Sequence, residues 1–216
     1  MKITKEVKLE LLNRLKMDKL FGYEYIEQFN VEQYSAIKNN LPSSLEKLNE
    51  HVLNCSLCSL SKTKKSISFY KGNENSKILL ISLHDNLDTK KEFNYFKDIL
   101  NDVAKIDIND IYMTNILKCN VSNYKNNLDD EIHQCIHYLE QQITLIKPNI
   151  IITLGNAFKY ILNCNDLLTD VSGNLYSYRG IKLIPLLGID FISKNPSYKD
   201  KMFKDMSKIK NIMDKK

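Results

Sequence analysis

The sequence predicts an α/β protein: a three-layer α/β/α sandwich around a central parallel sheet of about four strands, preceded by a helical extension. Three observations predict it. The stretches K-I-L-L-I-S-L (77–83), N-I-I-I-T-L (149–154) and K-L-I-P-L-L (182–187) are near-continuous apolar runs, as in strands buried on both faces. Between them lie segments whose apolar residues recur every three or four positions, as in helices that cover a sheet. The alternation of the two kinds over 216 residues suits parallel strands joined by helical crossovers, with enough chain for a sizeable core.

Residues 1–41 read as two or three helices. Val7, Leu9, Leu11, Leu12, Leu15, Leu20 and Phe21 supply apolar positions, Gly22 breaks the run, and Tyr23 to Ile37 is a second amphipathic piece. No catalytic spacing occurs here, so the extension reads as a packed appendage or as an arm for a protein partner. The main domain is expected over 42–216.

After Pro42, Ser43 to Glu46 forms a capping box for a short helix through about Leu53, which delivers Cys55 and Cys58 on a tight loop. The segment 59–75 is polar and basic, with Lys62, Lys64, Lys65 and Lys71 around Phe69 and Tyr70. Such a patch either tracks a phosphate backbone and stacks a base or is an ordinary solvated loop. The strand 77–83 runs into His84-Asp85-Asn86-Leu87-Asp88, at the strand end where open parallel sheets bind ligands. Phe93 to Val103 is a helix.

The stretch Asp110 to Gly155 forms a β-α-β unit. Ile111, Met113, Ile116 and Leu117 make a strand. Asp129 caps a helix bearing Ile132, Cys135, Ile136, Leu139, Ile143 and Ile146, which Pro148 stops before the next strand. Asn156 to Asn163 is a further helix, Leu175 to Tyr178 a short strand and Lys182 to Leu187 the last one. Pro196 onward is a lysine-rich helix with Met202, Phe203, Met206, Ile209 and Ile212 inward.

The formal charge is +5, carried almost wholly by lysine because Arg14 and Arg179 are the only arginines. That balance permits nucleic-acid binding without requiring it. No apolar run reaches the ~18–20 residues of a membrane span, and no signal-peptide core precedes the domain, so a cytoplasmic, membrane-free monomer is expected. Five cysteines in such a chain argue against a disulfide framework.

Four of them, Cys55, Cys58, Cys119 and Cys135, run C-x2-C, a long gap, then C-x15-C, with Cys119 ending a strand and Cys135 one turn into a helix. Four thiolates suit zinc or an iron–sulfur cluster. The wide second spacing fits a cluster clamped onto the edge of an α/β domain, and zinc stays open. The bland reading takes all four as small buried apolar residues. Cys164 reads as a core residue.

From about residue 44 to 208 the chain resembles the family 4 uracil-DNA glycosylases, which carry a 4Fe-4S cluster. C-S-L-C-S-L-S-K-T-K is similar to the family's C-x2-C-x-L followed by basic residues. Gly72-Asn73 before K-I-L-L-I resembles the lead into its first strand. Y-M-T-N-I-L-K-C resembles its Y-I-T-N-x-V-K-C, and E-I-x-x-C-x-x-Y-L-x-x-Q-I-x-x-I-K-P-x-I-I-I-x-L-G nearly matches its pattern. The resemblance implies the uracil-DNA glycosylase fold and a 4Fe-4S cluster on Cys55, Cys58, Cys119 and Cys135. It also implies that Asn115 hydrogen-bonds the edge of a flipped pyrimidine.

The chain departs from the family where the chemistry is done. The family's G-E-A-P-G loop, whose glutamate positions the attacking water, aligns with Ser82, Leu83, His84, Asp85 and Asn86. A following P-F-V-G segment, whose aromatic stacks on uracil, is missing. The family's H-P-S, whose histidine stabilises charge on the departing base, aligns with Gly188, Ile189 and Asp190. Losing a positioned general base costs ~10²–10⁴ in rate, and losing a donor at the developing anion ~10²–10³. Asp85 is the candidate catalytic replacement, with His84, Asp88 or Asp190 as other sources of help and a solvated loop as the plain alternative. His133 and His137 are expected to face solvent or brace the cluster.

The sequence therefore reads as a DNA base-excision repair protein resembling enzymes that hydrolyse the N-glycosidic bond of uracil in DNA. Two alternatives stand beside that. One is a catalytically weak or inactive relative that binds DNA or a repair or replication partner; the other is a structural zinc protein that assembles through its N-terminal helices.

Overall fold

The computed structural model describes residues 41–84, 90–124 and 127–214. All of them fall in one compact unit, Leu41–Lys216. The helices expected over residues 1–40 and the loop residues Asp85 and Asp88 lie outside the described residues.

Two short helices open the unit, α1 (Leu45–Leu53) and α2 (Ser59–Thr63), followed by β1 (Ser66–Ile67) and β2 (Lys71–Gly72). Then come β3 (Ile78–Ser82), α3 (Lys90–Ile99), β4 (Ile111–Asn115), β5 (Cys119–Asn120), α4 (Asp129–Ile146) and β6 (Ile150–Leu154). The remainder is α5 (Ala157–Leu162), α6 (Leu168–Val171), β7 (Tyr176–Tyr178), β8 (Ile181–Leu186), α7 (Ile189–Lys194) and α8 (Lys199–Asp214).

The main sheet has six strands in the order β2-β4-β3-β6-β8-β7. Its four central strands are parallel, as expected, while β2 and β7 add antiparallel edges that make the sheet mixed. A separate antiparallel ribbon pairs β1 with β5. Strands β3 and β6 are buried at every position, which explains their lack of polar alternation. The helix α4 carries the chain from β4 across β3 to β6, so the β-α-β unit read in the sequence encloses a third strand.

Two apolar layers sandwich the sheet. On one face Leu79, Ile81, Tyr112, Ile151 and Leu183 meet Leu48 and Val52 of α1 and Ile132, Leu139 and Ile143 of α4. On the other, Leu80, Ile111, Ile152 and Ile184 meet Phe96 of α3, Ile189 and Ile192 of α7, and Met202, Met206 and Ile209 of α8. Successive strand residues alternate between these layers, as a pleated sheet requires.

Several local expectations are corrected. Ser44, not Ser43, caps α1, and its hydroxyl accepts the Lys47 N–H. The third helical position is then a lysine, so no reciprocal capping box forms. Asp129 is the first residue of α4 and not its cap; Asn127 Oδ1 accepts the Asp129 N–H from outside the helix. The helix expected from Phe93 begins at Lys90 and widens into a π-helical turn, Leu100–Ala104, that ends at left-handed Lys105. Phe69 is 5% exposed and belongs to the core, and Tyr70 stacks flat on Tyr112 at 4.9 Å. Phe69 therefore offers no free face to a nucleobase, and one face of the half-buried Tyr70 is taken by Tyr112.

Gly72 ends β2 at φ +95, and a Cβ there would run into the Ile111 carbonyl. Both a left-handed backbone and a backbone clash oppose any side chain. Gly72→Ala is expected to lower stability by about 1–3 kcal/mol in chemical denaturation, the size of comparable backbone strain. An unchanged denaturation midpoint would show that β2 is not held against β4 as described.

Candidate functional site

The carboxyl ends of the four parallel strands carry Ser82, Asn115, Leu154 and Leu186, with Gly155 and Gly188 close behind the last two. Strand order reverses between β3 and β6, and a crevice opens at such a switch point. Each strand is apolar along most of its length, and polar residues appear where the chain leaves the sheet, at Ser82 and at Thr114-Asn115.

Asn115 is paired directly with Ser82 across β4 and β3. Its side chain, 5% exposed, is fixed from two sides. The Ser82 hydroxyl donates to Asn115 Oδ1 at 2.9 Å, and Asn115 Nδ2 donates to Ser68 Oγ at 3.1 Å. A primary amide has two lone pairs and two N–H groups. The two serines use one of each and leave one acceptor and one donor. Ser68 and Ser82 are not conspicuous in the sequence, since isolated serines at strand ends and in basic loops are common.

Beneath Asn115 lies a buried polar group. Lys118 is 1% exposed, and its Nζ reaches Thr114 Oγ1, the Asn115 carbonyl and Gln142 Oε1 at 2.8, 2.5 and 2.6 Å. Burial pulls the Lys118 ammonium down to about 7, against the pull of a Cys135 thiolate. Lys118 and Gln142 went unnoticed as site residues. The signal was present, because each is a long polar residue inside an otherwise buried run.

The four cysteines of the C-x2-C and C-x15-C pairs converge next to this group. Cys119 and Cys135 belong to the α1–α4 core layer, and Cys55 and Cys58 pack against it. All four thiols are free. Burial, then the nearby Cys58, raises Cys119 to about 11. Burial raises Cys135 to about 12, with Cys119 and Cys58 adding to it and Lys118 opposing. Tyr138 hydrogen-bonds the Cys55 thiol and is itself raised, first by burial. Cys164 feels Asp166 and Lys159 and none of these thiols.

Among the described residues, no group of three or more His, Cys, Asp or Glu is closed tightly enough to grip a metal ion as it stands. The donor chemistry nevertheless suits a thiophilic cation. Four free thiols share one apolar neighbourhood and have cationic groups in reach. Lys64 Nζ bonds the Leu53 and Cys55 carbonyls at 3.1 and 3.4 Å and lowers Cys119. Lys64 is therefore spent on the cysteine loop and not on a phosphate track. The loop's outer side borders a groove of about 420 Å³ lined by Cys58, Ser59, Lys62 and Glu131, where the Ser59 hydroxyl donates to the buried Glu131 carboxylate.

Among the described residues, the chemical machinery around the crevice is thin. Leu83, half-buried, brings only an apolar side chain, and its carbonyl is taken by the Leu117 N–H at 2.9 Å. His84 stacks on Tyr124 at 4.4 Å, and the Tyr124 hydroxyl donates to the Cys119 carbonyl at 3.1 Å. Gly188 begins α7, and the Asp190 carboxylate occupies the space that a side chain at 188 would enter. Asp85 lies outside the described residues. His133 is exposed, as expected, whereas His137 is 3% exposed with Nδ1 at 3.8 Å from Glu140, so it faces the core and not solvent.

Comparison with known proteins adds an independent finding. The sequence pattern of the family described as "Uracil DNA glycosylase superfamily" matches residues 69–210. The "Type-4 uracil-DNA glycosylase" of Archaeoglobus fulgidus is 28% identical over 189 residues, covering 80% of this chain and 95% of the relative. That of Saccharolobus solfataricus is 27% identical over 191 residues, covering 80% and 88%. A "DNA polymerase" of Bacillus phage SP01 is 31% identical over 107 residues, which is 50% of this chain and 12% of the polymerase.

The convergence of four thiols predicts that any bound metal, read by elemental emission on purified protein, is lost in Cys119→Ser and in Cys135→Ser. Cys164→Ser, outside the set, should keep the native metal content.

Proposed function

We infer, because the chain belongs to the uracil DNA glycosylase superfamily, that it serves DNA repair by recognising uracil in DNA, with hydrolysis of the N-glycosidic bond as a slow step. The observation that carries this reading is the state of Asn115. Its amide is braced by Ser82 and Ser68 so that one lone pair and one N–H remain. Uracil presents the complement, an N3–H donor beside an O4 acceptor, and cytosine presents the reverse. A base must leave the stack to reach the end of β4, so the bound form is a flipped nucleotide. The match to part of a phage DNA polymerase supports a fold that works on DNA.

Cys55, Cys58, Cys119 and Cys135 are the residues that would hold a 4Fe-4S cluster, and zinc is the alternative. When bound there, the cluster takes the four thiolates and ties the Cys55–Cys58 loop, β5 and α4 into one body. The protein is then a DNA-binding iron–sulfur protein of the cytoplasm.

Excision requires water to add its oxygen to C1′ while the C1′–N1 electron pair leaves with uracil, which then takes up a proton. Leu83 cannot orient that water, and Gly188 offers no donor to the departing anion. By its place in the sequence, Asp85 is the residue to assume the first task. A second reading, recognition without cleavage, is favoured by the same two residues.

The test is uracil release from single- and double-stranded DNA by anaerobically purified protein. The native protein should release uracil slowly, and Asn115→Ala should abolish any preference for uracil over cytosine. Leu83→Glu is expected to raise release by ~10²-fold or more, the worth of a positioned base. Gly188→His should add to that, since Gly188 has φ −71 and ψ 154, which any residue adopts, and only the Asp190 side chain must swing aside. Asp85→Ala should lower what release the native protein has. No release from native or restored variants, with uracil preference intact, would establish the second reading.

A further inference from the structure

Lys118 touches both halves of the site. Its Nζ bonds Thr114 Oγ1, the Asn115 carbonyl and Gln142 Oε1, three acceptors for the three N–H groups of an ammonium. Gln142, 0% exposed, is itself fully engaged. Its Oε1 also accepts from Thr114 Oγ1 at 3.0 Å, and its Nε2 donates to the Phe69 carbonyl and the Tyr112 hydroxyl at 3.0 and 2.9 Å.

The backbone of the same lysine faces the thiols. Its N–H donates to Cys135 Sγ at 3.4 Å. Its carbonyl accepts the Ser68 N–H at 2.8 Å, and Ser68 Oγ is the acceptor for the Asn115 amide. A closed ring results. The Lys118 side chain holds the Asn115 main chain, its carbonyl holds Ser68, Ser68 holds the Asn115 side chain, and its N–H holds a cysteine sulfur.

A lysine that served only to fill the core would be a poor choice, because an apolar side chain of that volume needs no acceptors and carries no cost of desolvating a charge. Here every acceptor of the ammonium lies on β4 or on α4, the elements that carry Asn115 and Cys135. Satisfied buried networks of this kind hold one arrangement in preference to others. Groups bonded to a metal's ligands in turn fix those ligands.

We propose that Lys118 is a positioning residue that couples the four-thiol set to Asn115, so that the preference for uracil depends on whether the thiols hold their metal group. The proposal rests on Asn115 as the base-reading residue. Coupling runs through one contiguous set of hydrogen bonds that both sites share.

The experiment compares full-length protein as purified with the same protein stripped by a chelator under oxidising conditions. Affinity for a single-stranded oligonucleotide carrying one uracil is measured against the same strand carrying cytosine. Metal content, visible absorbance and melting temperature are recorded throughout. In the native protein, stripping should lower the uracil-to-cytosine affinity ratio about 10-fold, a usual size for coupling between sites. Lys118→Met keeps the length of the side chain and removes its donors. It should hold metal, show the lowered ratio already when loaded, and change little on stripping. Ser68→Ala, at a half-buried position, breaks the ring without touching Lys118 and should behave likewise if Lys118→Met does not fold.

A loaded, folded Lys118→Met or Ser68→Ala with the native ratio and the native response to stripping overturns the proposal. Hydrogen exchange over Ile111–Asn115 separates the two readings. If the native protein has no uracil preference but exchange there quickens on stripping and is already quick in Lys118→Met, the coupling stands and Asn115 is not the base reader. If exchange in the native protein does not respond to stripping, the coupling falls.

Discussion

Everything in this molecule depends on the parallel pairing of β3 with β4 on one side and β6 on the other. Register there sets Ile78 against Ile111 and Ile150, and Ser82 against Asn115. A slip of one residue would turn every side chain of β4 to the opposite face. It would carry Asn115 away from Ser82 and put Tyr112 and Thr114 where Ile111 and Met113 now lie. The apolar layers forbid this, because Ile111 and Tyr112 are both 0% exposed and pack on different faces. The Asn115 amide is thus located by core packing.

The division of labour between strands and loops follows from that constraint. Asn115, its serine partner on β3, and the lysine below it sit on or beside rigid sheet elements. Water orientation and charge stabilisation are tasks for the loops that leave the sheet, and there the chain presents Leu83 and Gly188. Loops accept substitution with little cost to the core, whereas a change at Asn115 or Gln142 leaves buried polar partners unsatisfied. Such a fold can vary its loops while its strand-borne polar groups stay in place.

Much of this was legible in the sequence, for identifiable reasons. The runs I-L-L-I-S and I-I-I-T-L declare themselves as central strands because nothing polar interrupts them. The cysteine spacings identified the thiol set because few other uses exist for such pairs in a chain without a disulfide framework. The antiparallel edge β2 was hard to see, since a strand of two residues carries almost no periodicity, whereas β7 fell within the short strand read at Leu175 to Tyr178. Phe69 was misjudged because its neighbours are lysines, yet its carbonyl and ring both turn inward to meet Gln142 and the core. The serine brace on Asn115 joins residues 33 and 47 positions apart, and no local pattern reports a contact of that span.

The short edges of the main sheet have a bearing on how the protein behaves in a crowded solution. An open parallel core of four apolar strands is an invitation to add foreign strands, and its two borders are where addition would begin. One border is closed by two residues that end at a glycine, the other by Tyr176–Tyr178 with a left-handed Arg179 just beyond. Neither offers a run of unpaired amides long enough to template growth. A highly apolar sheet thereby presents little edge to a neighbouring chain, which disfavours strand addition.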